Sequence, residues 1–172
     1  MAKYTTATVA GFETYHEARG RERPGTMTDP IVEAALLVAS EWIDRVYGSS
    51  FIGRKTGGFV QVREWPRIGA VIIDPRYGYA FPSDAIPEQL TNAVYEAAWR
   101  QANSPGSLLV DYTPGKYSSV SVDGAVAVQY RQFSSAADVQ TSYPIIDQLL
   151  YWLLDSDSGA YLSSFSGGVV RV

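Results

Sequence analysis

The residues able to do chemistry are few, and their spacing argues against most of it. His16 is the single histidine, in the segment TVAGFETYHEARG. A zinc-protease pair needs a second histidine four positions on, where Gly20 stands. A lone histidine on a short amphipathic helix therefore reads as a surface or packing residue. In GRKTGG, Lys55 precedes Thr56, but a phosphate loop needs glycine immediately before that lysine and Arg54 occupies the place. A plain glycine turn is the better reading. Asp155, Asp157 and Gly159 echo a calcium loop, yet Gly159 stands where a third oxygen ligand is required and Ala160 where glycine is. A solvated helix end explains them. No G-x-S-x-G elbow is present, and the absence of cysteine removes disulfides, thiolate zinc sites and thiol catalysis together. The residues thus predict no catalytic, metal or cofactor site, and no enzyme.

One basic and aromatic alternation remains. Arg63, Trp65 and Arg67, with Arg54, Lys55, Arg76 and Tyr77 nearby, could stack on and neutralise a single nucleic-acid strand. The structural reading is preferred for Trp65: held extended by Pro66, it plugs the core while the arginines snorkel.

Composition bounds the partners. At 172 residues the chain suffices for one domain with a proper core and is short for two. A hydrophobic share of 46% and a charged share of 19% describe a folded chain, so pervasive disorder is excluded. The net charge of -4 and a pI near 4.9 argue against gripping duplex DNA through its phosphates. No apolar run reaches membrane length, and the first twenty residues lack a signal-peptide core, so no membrane partner is expected.

The elements follow from periodicity. Thr28–Gly48 is the clearest helix: Asp29 and Pro30 open it, Gly48 stops it, and two stripes run along it, Ile31, Ala35, Val38, Trp42 and Val46 beside Leu36, Ala39, Ile43 and Tyr47. Covered on more than one side, it reads as the centre of a bundle. A short helix over Thr8–Arg19 precedes it, and Pro87–Asn103 follows, with Leu90, Ala93, Val94, Ala97, Ala98 and Gln101 inward. Tyr95 and Trp99 read as further core. Between the two long helices lies an ordered loop, with extended pieces expected at Phe59–Val62 and Val71–Ile73. Phe51, Phe59, Trp65, Ile68, Val71, Ile73, Tyr79 and Phe81 are too many large apolar groups to leave in water.

At 117–131 the period becomes two, which signals a β-hairpin. A three-residue loop, Asp123 to Ala125, pairs Val122 with Val126 and Val120 with Val128 and so gathers one valine face. Ser142 caps a last helix over Tyr143–Leu154, with Ile146, Leu149, Leu150, Leu153 and Leu154 as its core stripe. The fold class expected is mainly α, a bundle of about four helices with one hairpin and an extended C-terminal tail. The main domain runs over 1–155. Residues 156–172 form an apolar tail in which Tyr161, Leu162, Phe165, Val169, Val170, Arg171 and Val172 suggest a docking surface.

The order of TVAGFETYHEARG, AALLVASEWIDRVYGSSFIGRK, EWPRIG, IPEQLTNAVYEAA, the hairpin ending VQYR and YPIIDQLLYWLL resembles the head-tail connector, or adaptor, proteins of tailed bacteriophages. Many of these are described as DnaT-like single-stranded-DNA-binding proteins. The resemblance covers about residues 4–155. It implies a structural virion protein of the neck, assembled in the host cytoplasm as a homo-oligomeric ring of twelve copies. Such a ring binds the portal, receives a stopper or tail-terminator protein, and lets genomic DNA pass through its lumen without specific binding. The docking tail would then meet the portal or a neighbouring subunit. An acidic balance suits a channel wall that must not hold phosphates. The alternative is a single-stranded-DNA-binding module of phage replication, contacting DNA through Arg54, Lys55, Arg63, Trp65 and Arg67.

Overall fold

Among the described residues four helices form because four stretches carry an apolar stripe at helical spacing, and they pack because those stripes cover one another together with Tyr4, Met27, Phe51 and Trp65. The computed structural model describes residues 2–73, 78–108, 119–122, 126–129 and 143–155. Helix α1 is Val9–Glu17, α2 Asp29–Tyr47, α3 Glu88–Asn103 and α4 Pro144–Leu150. Thr8 caps α1 by accepting a hydrogen bond from the Gly11 amide at 3.1 Å. Thr28 takes the cap position of α2, one residue before the expected Asp29, and leaves Asp29 in the first turn where its charge favours the helix dipole.

The mainly α bundle is as expected, with its weight placed differently. Helix α2 packs along α3, but α4 and α1 also rest on α3, so α3 is the element on which the others converge. Its alanines explain this. Ala93, Ala97 and Ala98 are fully buried beside Leu90 and Val94, and their small side chains let neighbouring backbones approach. On α2 the buried set is Val32, Ala35, Leu36, Ala39, Trp42, Ile43 and Tyr47, while Ile31 from the expected stripe is exposed. Tyr95 is buried as predicted, and Trp99 is half-buried against Phe12.

The carboxylates packed into the bundle are held by partners. Glu96, on α3, is 1% exposed. It accepts from Arg21 at 3.0 and 3.1 Å, from Arg100 at 3.0 Å and from the Tyr15 hydroxyl at 3.3 Å. Burial pushes this carboxyl up, but the two guanidiniums outweigh it and hold it below its usual range. The connection after α1 is thereby clipped to α3. Asp44 plays the same part for the N-terminal segment, accepting from the Tyr4 hydroxyl and from Arg63 at 3.0 Å. Its burial raises the carboxyl on balance.

Helix α4 is shorter than the predicted Tyr143–Leu154, giving way to a tight 3-10 turn over Tyr151–Leu153. The turn points Leu153 into the core and releases the chain to pair with the segment after α2. Ile52 donates to Leu153 O at 3.0 Å and Asp155 donates to Ser50 O at 2.7 Å. The predicted N-cap Ser142 and the tail beyond Asp155 lie outside the described residues.

Three antiparallel pairs occur among the described residues: β1 (Arg54–Lys55) with β2 (Arg67–Ile68), β3 (Val71–Ile73) with β4 (Gly78–Ala80), and β5 (Ser119–Val122) with β6 (Val126–Gln129). In the last pair Val120 faces Val128 and Val122 faces Val126, the register derived from the valine pattern. The extended piece at Val71–Ile73 is present. The one expected at Phe59–Val62 is not, since Gly58–Val60 turns instead as a 3-10 segment.

Gly53 fixes the entry to β1. Its φ is +73°, and a Cβ there would lie 2.7 Å from both Ala70 N and Ile68 O. Gly58 has φ +60° but open space around it. Gly58→Ala should therefore cost only the left-handed penalty of about 1–2 kcal/mol. Gly53→Ala should cost clearly more, because backbone must also move. Thermal melts of the two variants check the difference.

Candidate nucleic-acid interface

The segment 53–70 decides what this molecule offers a ligand, because it carries most of the cations singled out above, together with Trp65 and Phe59. Strand pairing sorts them by face. Arg54 opposes Ile68 and Lys55 opposes Arg67, so each pair shares a side of the ribbon. The Lys55–Arg67 side turns inward. There Glu64 takes both cations, Lys55 at 2.7 Å through Oε1 and Arg67 at 2.7 Å through Oε2. Arg67 also donates to Ile52 O at 2.9 Å, Phe51 O at 3.2 Å and Gly53 O at 2.8 Å. Its guanidinium thus serves as an internal template for three successive carbonyls.

Trp65 is 1% exposed and sits edge-on between Phe51 at 6.0 Å and Phe81 at 5.9 Å. The plug reading holds for the tryptophan, with the Trp65–Pro66 peptide cis. The accompanying arginines do not snorkel. Arg63 turns into the protein to meet Asp44 at 3.0 Å and Glu41 at 3.5 Å. Trp65 is consequently withdrawn as a stacking contact to a single strand, because a ring in the core cannot stack, and the guanidiniums of Arg63 and Arg67 face carboxylates within the protein. Lys55 shares the single charge of Glu64 with Arg67. Arg54 keeps its place: it is exposed and makes no ion pair among the described residues. Arg76, Tyr77 and the tail positions Tyr161, Leu162, Phe165, Val169, Val170, Arg171 and Val172 lie outside the described residues.

What the structure adds is an apolar fingertip. Phe59 is completely exposed, with Val60 and Val62 largely so. The expectation that Phe59, Ile68, Val71 and Tyr79 would be shielded is corrected, since all four reach solvent. The loop instead folds around a side-chain amide. Gln61 accepts from the Gly57 N–H at 2.8 Å, and its Nε2 donates to Arg63 O at 2.8 Å and Pro66 O at 2.9 Å. With the backbone satisfied from within, no burial of Phe59 is needed to set the loop. The turn packs beside β1, the strand that carries Arg54. The clue in the sequence was Gly57-Gly58 before Phe59: a glycine pair marks a loop tip, and nothing nearby could cover the ring.

Tyr79 forms a second exposed ring, edge-on to Phe81 at 5.3 Å and so continuous with Trp65 behind it. The cleft between α1 and α2 disfavours phosphates. It is lined by Glu13, Glu17, Glu22 and Asp29 around Arg23, which is itself paired with Glu13 and Asp29. His16 is buried, with its Nε2 3.2 Å from Tyr95 O and its ring 4.4 Å from that of Trp99. It is a packing residue. No group of three or more potential metal ligands occurs among the described residues, and none of their helices is long and apolar enough to cross a membrane.

No curated protein and no solved structure matches the chain. A family model does, over residues 4–172, and its description is a putative DnaT-like ssDNA binding protein. That match overturns the expectation of a structural virion head-tail connector: the family's description names single-stranded DNA, and nothing found points to an adaptor. Spanning all but the first three residues, the match places the chain in the family of putative DnaT-like ssDNA binding proteins.

Proposed function

We propose that the protein is a single-stranded-DNA-binding module. The observation that carries this reading is the family match over residues 4–172. The fingertip supports it: an exposed ring and two valines stand at the turn that packs beside β1, whose Arg54 is exposed. The net charge of -4 and the acidic cleft weigh against the duplex, whose dense phosphates demand many free cations. The role is binding, with no catalytic step assigned.

The test is fluorescence anisotropy with a labelled oligonucleotide of about 20 nucleotides, longer than the ~4–16 that such sites cover. Saturable binding at low ionic strength, stronger than for a duplex of equal length, is the expected result. No binding to any single strand at low ionic strength disposes of the proposal.

A further inference from the structure

We infer that the single strand is held chiefly by the faces of its bases on Phe59, with Arg54 meeting one neighbouring phosphate; this inference rests on the single-strand reading above. Two independent observations lead there. First, the fingertip is rigidly built and apolar: Gln61 ties Gly57, Arg63 and Pro66 together, while Phe59 itself packs on nothing. A completely exposed ring on a fixed loop is a ready surface for a flat apolar partner. Second, the cations are spent elsewhere. Lys55, Arg63 and Arg67 are ion-paired inside the protein, so of the ribbon and its loop Arg54 alone has a head free of any ion pair among the described residues. A ligand fitting this surface has flat apolar faces linked by sparse negative charge. Unpaired nucleotides meet that description, and a base-paired strand, its faces already stacked, does not.

The two features set the salt dependence. One phosphate contact on a single strand gives a slope of about -0.7 in log K against log salt, so affinity should fall only about 3-fold between 50 and 200 mM salt. Six contacts would give a fall of hundreds of fold. The experiment is therefore anisotropy with the full chain at both salt concentrations, using a normal oligonucleotide, one of equal length with abasic sites, and the variants Phe59→Ala and Arg54→Gln. Because Phe59 touches no core, Phe59→Ala should melt like the parent protein. It should bind the normal oligonucleotide ~5- to 100-fold more weakly, the range that one lost stacking contact gives. The parent should lose a similar factor on the abasic strand, and Arg54→Gln should flatten the remaining salt slope.

A steep salt slope in the parent, with Phe59→Ala unchanged, would leave single-strand binding standing and overturn the base-face inference. Should Phe59→Ala keep its oligonucleotide affinity but abolish self-association or retention on vesicles, the tip is a protein or lipid contact and the inference also fails. If the parent binds no oligonucleotide, the reading beneath it fails first.

Discussion

Arg67→Ala should lower the stability of the protein by about 3–5 kcal/mol, the penalty for breaking a buried ionic contact by removing one partner. The arginine side chain is 9% exposed and holds four residues at once: Glu64, through its carboxylate and its carbonyl, and the carbonyls of Phe51, Ile52 and Gly53. Alanine would leave those carbonyls without their donor, and Glu64 with Lys55 as its single remaining cation. Arg67→Lys keeps the charge but not the planar fork, so it should recover only part of the loss. Urea denaturation at neutral pH measures both as a shift in midpoint. A loss for the alanine variant below about 1 kcal/mol would show that the guanidinium is not organising residues 51–53.

Acid should weaken the fold well before the carboxylates titrate, and His16 is the reason. Burial among Phe12, Tyr15 and Trp99 pushes its imidazole down from 6.5 to about 4, a drop that the Tyr95 carbonyl and Glu96 only partly oppose. The geometry agrees. Nε2 has the Tyr95 carbonyl to donate to, whereas Nδ1 is buried with no partner, so a second ring proton would have nowhere to go.

The direction follows from linkage. Above pH 6.5 the ring is neutral folded or unfolded and contributes no slope. Between 6.5 and about 4 only the unfolded chain takes up the proton, so stability falls as pH falls, by about 3 kcal/mol over the window. Glu96, held below its usual range, extends the loss at still lower pH as its two arginines lose their partner. Asp44, raised by burial, acts in the opposite sense in that acid range. Urea midpoints at pH 7, 5.5 and 4.5 should decline steadily for the parent protein and far less for His16→Leu. Equal declines in both would assign the effect to other groups.

Much of this architecture could be read from the chain because its signals are local. The stripes of α2 and α3 are set by residues three and four apart, and the β5–β6 register follows from four valines that all pair directly across the strands in one alignment only. The segment 51–70 was opaque for the opposite reason. The fate of Arg63 depends on Asp44 and Glu41, that of Arg67 on Glu64 and three carbonyls, and that of Trp65 on Phe51 and Phe81. Pairing of side chains that are distant along the chain leaves no periodic trace, so a row of alternating arginines looks the same whether it lines a groove or braces a core. Phe59 misled by composition, since its hydrophobicity argued for a cover that a loop wired by its own polar groups does not require. The family assignment also lay beyond local spacing: the ordered segments pointed to a lineage, and the adaptor role attached to it did not survive the full match.

One primary amide uncouples the identity of the loop's end from the survival of the architecture. Because Gln61 secures the backbone on both sides, positions 59, 60 and 62 answer to no neighbour in the interior and can drift without unfolding anything. Descendants could exchange phenylalanine for a larger ring, or valine for a charge, and so retune their grip by point changes while the helices stay as they are. Gln61 itself has no such licence.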